Sequence, residues 1–219
     1  QENAAFASMV EAMDENVGRV VEALEANGLN ENTWIIFTSD NGGLSTLRRK
    51  NAPTSNGPLR AGKGWCYEGG IRVPLIISGP EVEKPGRVSE EMAVSMDYYT
   101  TILNLAGVEH ESNDGVNLLP LLTEGKKLER DELFWHYPHY HGSAWKPGSA
   151  IRKGNWKFVI HYEDERIELF NLKDDPGETT NISNENAEKV DELKKLLDKK
   201  LAETNAKFPE PNPDYDPRD

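Results

Sequence analysis

The chain has 219 residues, enough for one large domain or two smaller ones. Its 25 lysines and arginines face 38 aspartates and glutamates, and the net charge of −13 argues against non-specific binding to nucleic acid or anionic membrane. The single cysteine, Cys66, rules out an intrachain disulfide, and no apolar run reaches the length of a membrane span.

Gln1-Glu2-Asn3 lead straight into a helical pattern without a start methionine or a leader, so the chain reads as a piece of something longer. Residues 4–27 predict an amphipathic helix, with Met9, Met13, Val17, Val20, Val21 and Leu24 recurring mostly at steps of three and four. Gly28 is its left-handed stop. Trp34-Ile35-Ile36-Phe37 then predict a buried strand, and helix, short loop and strand in that order are the grammar of an α/β domain.

Residues 41–72 carry no sustained period, yet they gather glycines, asparagines, prolines and the cations Arg48, Arg49, Lys50, Arg60, Lys63 and Arg72. Long patternless connections inside compact domains are uncommon and often functional. In so acidic a chain, this clustering suggests an anion site. Residues 73–77 predict a second buried strand with Pro74 at its start. Residues 96–106 predict a helix capped by Ser95 and stopped by Gly107.

A polar stretch with an apolar island at Leu118, Leu119, Leu121 and Leu122 comes next. Strands are predicted at 133–135, 149–152, 156–162 and 166–172, then a turn at Asp174-Asp175-Pro176-Gly177. A helix over 187–203 places Val190, Leu193, Leu196, Leu197 and Leu201 on one stripe. Pro209, Pro211, Pro213 and Pro217 make the tail extended. The boundaries are therefore an α/β portion over 1–130, a small α+β subdomain over 131–207 and a Pro-rich tail over 208–219.

Three stretches carry candidate chemistry. In Thr38-Ser39-Asp40-Asn41-Gly42-Gly43, Asp40 and Asn41 stand at a strand's carboxyl end, where open α/β sheets bind ligands. A carboxylate beside an amide oxygen suits a hard cation, Ca2+ or Mg2+. Asp-Asn-Gly is equally a plain turn signal, and these six residues alone leave both readings open.

Gly57 to Lys63 matches the phosphate-binding pattern G-x-x-x-x-G-K, but Gly64 replaces the Ser or Thr that holds Mg2+ and no strand precedes it, so the nucleotide reading fails. A lysine flanked by glycines still offers a point charge to a sulfate or phosphate, unless it is simply solvated. His136, His139 and His141, with Tyr137 and Tyr140, fit a sugar-binding edge or an ordinary aromatic loop and match no zinc spacing. Cys66 reads as a small, partly buried thiol, and Asn181-Ile182-Ser183 is a glycosylation sequon that matters only in a secreted eukaryotic protein.

Several separated segments together resemble the type I sulfatases. They are Glu15-Asn16-Val17-Gly18-Arg19, the run from Ile36 to Gly43, Leu59-Arg60-Ala61-Gly62-Lys63-Gly64, and the run from Tyr67 to Pro74. Met96-Asp97 opening a helix and Leu169-Phe170-Asn171-Leu172 ahead of Asp174-Asp175-Pro176-Gly177-Glu178 complete the set, in family order across nearly the whole chain.

The resemblance is to the C-terminal portion of a sulfatase. It implies an alkaline-phosphatase-like α/β fold, a partial mixed sheet with flanking helices, followed by a small α+β subdomain with an antiparallel sheet and one helix. It also implies a sulfuric ester hydrolase acting on a sulfated small molecule or glycan, in a periplasmic, secreted or lysosomal setting. Asp40 and Asn41 fall on calcium-ligand positions, and Lys63 matches the catalytic lysine that contacts the substrate's sulfate. His136 and His139 lie where some members line the sugar pocket, while Glu68 and Arg72 are expected to hold the loop.

One departure stands against the match. The family's nucleophile is a formylglycine made within a Cys/Ser-x-Pro-x-Arg signature, and the sequence contains none; Cys66 is followed by Tyr67 and Glu68. The expectation is that formylglycine, the remaining calcium ligands and a catalytic histidine lie in an N-terminal part of the same enzyme, and that this chain alone is inactive. A phosphatase or phosphodiesterase of the same superfamily, or a non-catalytic chain that binds sulfated glycans, remain the alternatives.

Overall fold

The computed structural model describes residues 3–45, 52–111, 113–210 and 212–214. Arg48, Arg49 and Lys50 of the predicted cation cluster, and Pro211 and Pro217 of the tail, lie outside the described residues. In chain order the elements are α1 (Ala4–Ala26), β1 (Ile35–Thr38), the single turn α2 (Glu68–Ile71), β2 (Leu75–Ser78), α3 (Met96–Leu105), α4 (Leu119–Glu124), β3 (Glu132–Tyr137), β4 (Gly148–Lys153), β5 (Trp156–His161), β6 (Ile167–Asn171) and α5 (Ala187–Glu203). They fall into two compact units: residues 1–40 with 73–132, and residues 41–72 with 133–219.

In the first unit, the Asn3 side chain caps α1 by accepting from Phe6 N–H at 3.0 Å, and Gly28 takes φ +65 just beyond the helix end. The predicted stripe is present but only partly covered among the described residues, with Val21 and Leu24 half-buried. No residue of α1 is buried, and Met9 and Val20 are 69% and 59% exposed. β1 pairs antiparallel with β2, from Ile35↔Ser78 to Thr38↔Leu75. Both strands correct the buried-strand expectation: β1 is half-buried throughout, and β2 starts after Pro74 and alternates between half-buried and exposed.

The α3 start also departs from expectation. Ser95 makes no side-chain cap bond. Asp97 does that work from the first turn: its carboxylate accepts from Val94 N–H and Val116 N–H, both at 2.8 Å. It also takes a two-pronged ion pair from Arg130, at 2.6 and 2.8 Å, with both side chains buried. The Met96-Asp97 motif is thus a knot tying together the loops on either side of α3.

The second unit is built on a four-stranded sheet in the order β3-β4-β5-β6, with β4 and β6 each antiparallel to β5. Side chains alternate between faces along each strand. One face carries Ile151, Phe158 and Leu169, and α5 covers it with Val190, Leu193, Leu197 and Leu201 at the predicted helical spacing. The other face carries Ala150, Val159 and Phe170, covered by Cys66 and Tyr67 from the 41–72 segment together with Trp145. Arg152, Lys157, His161 and Glu168 sit on this second face too, by the register Arg152↔Lys157, Gly148↔His161 and Val159↔Glu168. The segment without periodicity is therefore a layer of the core, not a surface loop.

Candidate functional site

Buried charges and two glycine contacts hold that layer in place. Lys157 Nζ, fully buried, lies 2.9 Å from Glu68 Oε1 and 2.9 Å from Glu178 Oε1. Glu178 Oε2 accepts from the Glu68 N–H at 2.7 Å. Burial pushes the Glu178 carboxyl up, and the Lys157 ammonium opposes that rise. Arg72 and Arg152 flank Glu68 at 3.8 and 3.7 Å. Glu68 and Arg72 accordingly belong to the scaffold of the segment.

A second cluster stands beside the first. The Arg60 guanidinium lies 3.8 Å above the Tyr67 ring, donates to Glu178 O at 3.1 Å and reaches Glu168 at 3.4 Å. Tyr67 Oη donates to Glu168 and sits 3.3 Å from His161 Nε2. Burial raises the Glu168 carboxyl. Hydrogen bonds from His161 and Tyr67 and the charges of Arg60 and Arg166 outweigh it and bring the pKa down to about 2. Burial pushes the Cys66 thiol up to about 12 against the pull of Lys157, so Cys66 is inert packing, more deeply buried than the sequence suggested.

On this base the described stretches 42–45 and 52–70 fold against one another. Gly42 N–H donates to Gly70 O at 2.9 Å, and a Cβ on Gly42 would lie 1.7 Å from Gly69 O. Asn56 clamps Gly43 from both sides, accepting from its N–H and donating to its carbonyl at 2.9 Å each, and it also reaches Ala61 O. Lys63 N–H donates to the same Gly43 carbonyl at 3.1 Å. The turn passes through Ala61 at φ +60 and Gly64 at φ +86 and leaves Lys63 exposed. Among the described residues its ammonium has no ion-pair partner. A cation fixed at the backbone and unspent at its tip is suited to an external anion.

The predicted histidines part company. His136 is engaged at both nitrogens: Nδ1 with Ser149 Oγ at 2.7 Å and Tyr162 Oη at 3.0 Å, and Nε2 with Lys207 O at 2.8 Å. Phe208 packs edge-on against its ring, so His136 ties the segment after α5 to β3. His139 is exposed, its ring edge-on to Tyr137. His141, by contrast, lies directly on the Lys63 turn, since a Cβ on Gly64 would fall 2.1 Å from His141 Nδ1.

Asp40 closes the first unit and is exposed just past β1; Asn41 opens the second and is half-buried. Asn41 Nδ2 donates to Gly42 O at 3.0 Å, and an amide oxygen is of the donor type a hard cation takes. The donor chemistry of the two residues fits calcium, but two side chains are a fraction of the six to eight oxygens that calcium takes. Among the described residues no three His, Cys, Asp or Glu side chains gather as a further metal-holding group.

Comparison with known proteins gives the family of the chain. Residues 1–108 match the sulfatase family, and residues 61–207 match the C-terminal family of N-sulphoglucosamine sulphohydrolase. The chain belongs to the sulfatase family, as part of its C-terminal portion. It is 41% identical over 204 residues to a sulfatase of Formosa agariphila, covering 84% of this chain and 36% of that protein. It is 40% identical over 157 residues to the steryl-sulfatase of Mus musculus, covering 68% of this chain and 25% of that protein.

Among solved structures it resembles Ps i-CgsB in complex with k-i-k-neocarrahexaose, with TM-score 0.76, 31% identity, 91% of this chain and 43% of that chain. It also resembles BT4656 in complex with its substrate D-glucosamine-2-N,6-O-disulfate, with TM-score 0.74, 32% identity, 88% of this chain and 39% of that chain. The fold is thus a partial alkaline-phosphatase-like α/β domain followed by the antiparallel sheet and helix of the sulfatase C-terminal subdomain. This sulfatase chain spans less than half the length of these four relatives.

Sequence reasoning missed Asn56, and it named His141 and Arg60 only as members of a histidine group and a cation cluster, without placing either beside the Lys63 turn. Asn56 stands in Asn-Gly-Pro, an ordinary turn signal, and no spacing links His141 to Gly64. Arg60 was visible only as one cation among several.

Proposed function

We propose that the protein is a calcium-dependent sulfatase that hydrolyses sulfate esters of a sulfated carbohydrate, and that this chain supplies its sulfate-binding lysine and part of its metal site. The observation that carries the reading is Lys63: exposed, without an ionic partner among the described residues, and mounted on a turn whose backbone is clamped by Gly43 and Asn56. Its ammonium binds a sulfate oxygen and stabilises the charge that develops there as the ester bond breaks. Asp40 and Asn41 offer oxygens to calcium, which when bound supplies positive charge and Lewis acidity beside the sulfate. The formylglycine nucleophile belongs to an N-terminal part of the enzyme beyond these residues.

The sugar side of the reading rests on β3 and the loop that leads from it to β4. His139 projects from this loop as a candidate sugar contact. His136 acts at one remove, because its bonds to Ser149, Tyr162 and Lys207 hold the strand end next to His139. The exposed part of the apolar stripe of α1 suits burial against the N-terminal part of the same enzyme. No helix among the described residues is long and apolar enough to cross a membrane, and a secreted, periplasmic or lysosomal setting matches the substrate class.

The test is sulfate release from a sulfated monosaccharide by the full-length protein, before and after calcium is removed by a chelator. Release that stops on chelation and returns with calcium supports the reading, and Asp40→Asn should weaken calcium affinity by calorimetry. Faster hydrolysis of p-nitrophenyl phosphate than of p-nitrophenyl sulfate would make it a phosphatase. Tight glycan binding without turnover would make it a binding protein.

A further inference from the structure

We propose that His141 is a substrate-contacting residue, donating a hydrogen bond from Nε2 to an oxygen of the sulfated sugar bound at Lys63. The inference rests on the sulfatase reading above and goes beyond it in naming a residue and an atom.

Three observations converge on it. The first is place: the His141 ring lies on the backbone of Gly64, next in the chain to Lys63, so closely that Gly64 has no room for a Cβ, which would sit 2.1 Å from Nδ1 and 2.4 Å from Cε1. Gly64 at φ +86 is itself in a backbone region that favours glycine, so the turn and the ring are fitted to one another.

The second is the protonation pattern. His141 Nδ1 accepts from the Ser143 N–H at 3.1 Å. A neutral ring that accepts at Nδ1 carries its proton on Nε2 and is a donor there. No described residue takes that hydrogen. The turn therefore carries two groups that lack a partner among the described residues, the ammonium of Lys63 and the imidazole N–H of the ring packed on the next residue, Gly64.

The third is rigidity. His141 N–H donates to Trp145 O at 3.2 Å, and Ala144 N–H returns to His141 O at 2.8 Å. Trp65 Nε1, from the Lys63 side, donates to Ser143 O at 2.8 Å, and the Trp65 and Trp145 rings meet edge to face. The ring is thus held by the chain on both sides of it. A donor that is pre-set and unpaired before binding loses little entropy when a ligand oxygen arrives. Its role is discrimination: a site built to bond a hydroxyl or ester oxygen penalises a ligand that lacks one.

The experiment compares the full-length protein with His141→Ala and His141→Gln on two probes, p-nitrophenyl sulfate and D-glucosamine-2-N,6-O-disulfate. Binding of the same disulfate is measured by calorimetry. Glutamine can place an N–H where the Nε2 proton stands. The expected result is a loss of about 10- to 100-fold in kcat/KM on the sugar sulfate for the alanine variant, carried mainly by KM, with a smaller loss on the aryl sulfate and partial recovery in the glutamine variant.

Equal losses on both probes, or unchanged affinity for the disulfate in a folded His141→Ala protein, overturn the assignment. Should the wild-type protein release no sulfate from either probe, the sulfatase reading fails. Calorimetry then still decides His141 through the affinity of the two variants.

Discussion

The Lys157 ammonium and the Glu68 carboxylate meet at 2.9 Å in the core of the second unit, 89 positions apart in the chain. With Glu178 on the other side of the ammonium, the contact fixes the segment that carries Lys63 to the sheet by charge as well as by apolar packing. Buried ion pairs are poor sources of net stability, but they are costly to break from one side, because the remaining charge has no water to return to.

Lys157→Met should therefore be severe. It leaves Glu68 and Glu178 buried without the ammonium between them, and the expected loss is about 3–5 kcal/mol. Urea unfolding of the full-length protein reads this directly. A midpoint equal to that of the wild type would show that the pair does not anchor the segment.

Lys63→Ala should do the opposite. Its side chain is exposed and has no ionic partner among the described residues, so stability should change by less than about 0.5 kcal/mol. Turnover of a sulfated sugar should drop by roughly 10²- to 10³-fold. Parallel melting curves and initial rates check both halves, and full activity in the variant would remove Lys63 from the site.

Two glycines make a matched pair. At Gly42 an added Cβ meets Gly69 O at 1.7 Å, whereas at Gly18, inside α1, it meets nothing within 4 Å. Gly42→Ala should destabilise by about 1–3 kcal/mol or more, and Gly18→Ala should stabilise by about 0.5–1 kcal/mol. Chemical denaturation of both variants is the check. A shift of the same sign in both would mean that the tight crossing of the segment at Gly42 is relaxed in solution.

Acid should release the Tyr67 cluster. Glu168 has a folded pKa of about 2, below the 4.5 of an ordinary glutamate, so the folded protein holds fewer protons there than the unfolded chain. The stability it contributes is fully present above about pH 4.5 and is lost as pH falls toward 2. Glu168→Gln should flatten the stability profile in that window, and a profile unchanged by the substitution would place the acid sensitivity elsewhere.

Much of the second unit was legible in the sequence. The helix predicted over 187–203 is α5, and the strands over 149–172 lie within about two residues of β4, β5 and β6, because one face of each is apolar at period two. The other face mixes Ala150, Val159 and Phe170 with charged residues, and the role of those charges was not legible. Arg152, Lys157, His161 and Glu168 alternate just as solvent-facing residues do, and periodicity cannot separate a charge aimed at water from one aimed at a distant counter-charge.

The same limit applied to the 41–72 segment, whose contacts run through glycine backbone and single side chains that leave no repeating signature. The α1 helix was legible too, as Ala4–Ala26 against the predicted 4–27. Its spacing gives the face but not how much of that face is covered, and Val21 and Leu24 are half-buried where Met9 and Val20 are exposed.

The separation between Glu68 and its partners sets an order of events during synthesis. The segment bearing Lys63 leaves the ribosome 89 residues ahead of Lys157 and 110 ahead of Glu178. Until those arrive, its carboxylate, its glycine crossing and its two aromatic residues have no sheet to rest on. The segment that carries Lys63 is thus made early and shaped late, and β5 and the turn that bears Glu178 decide when it is anchored.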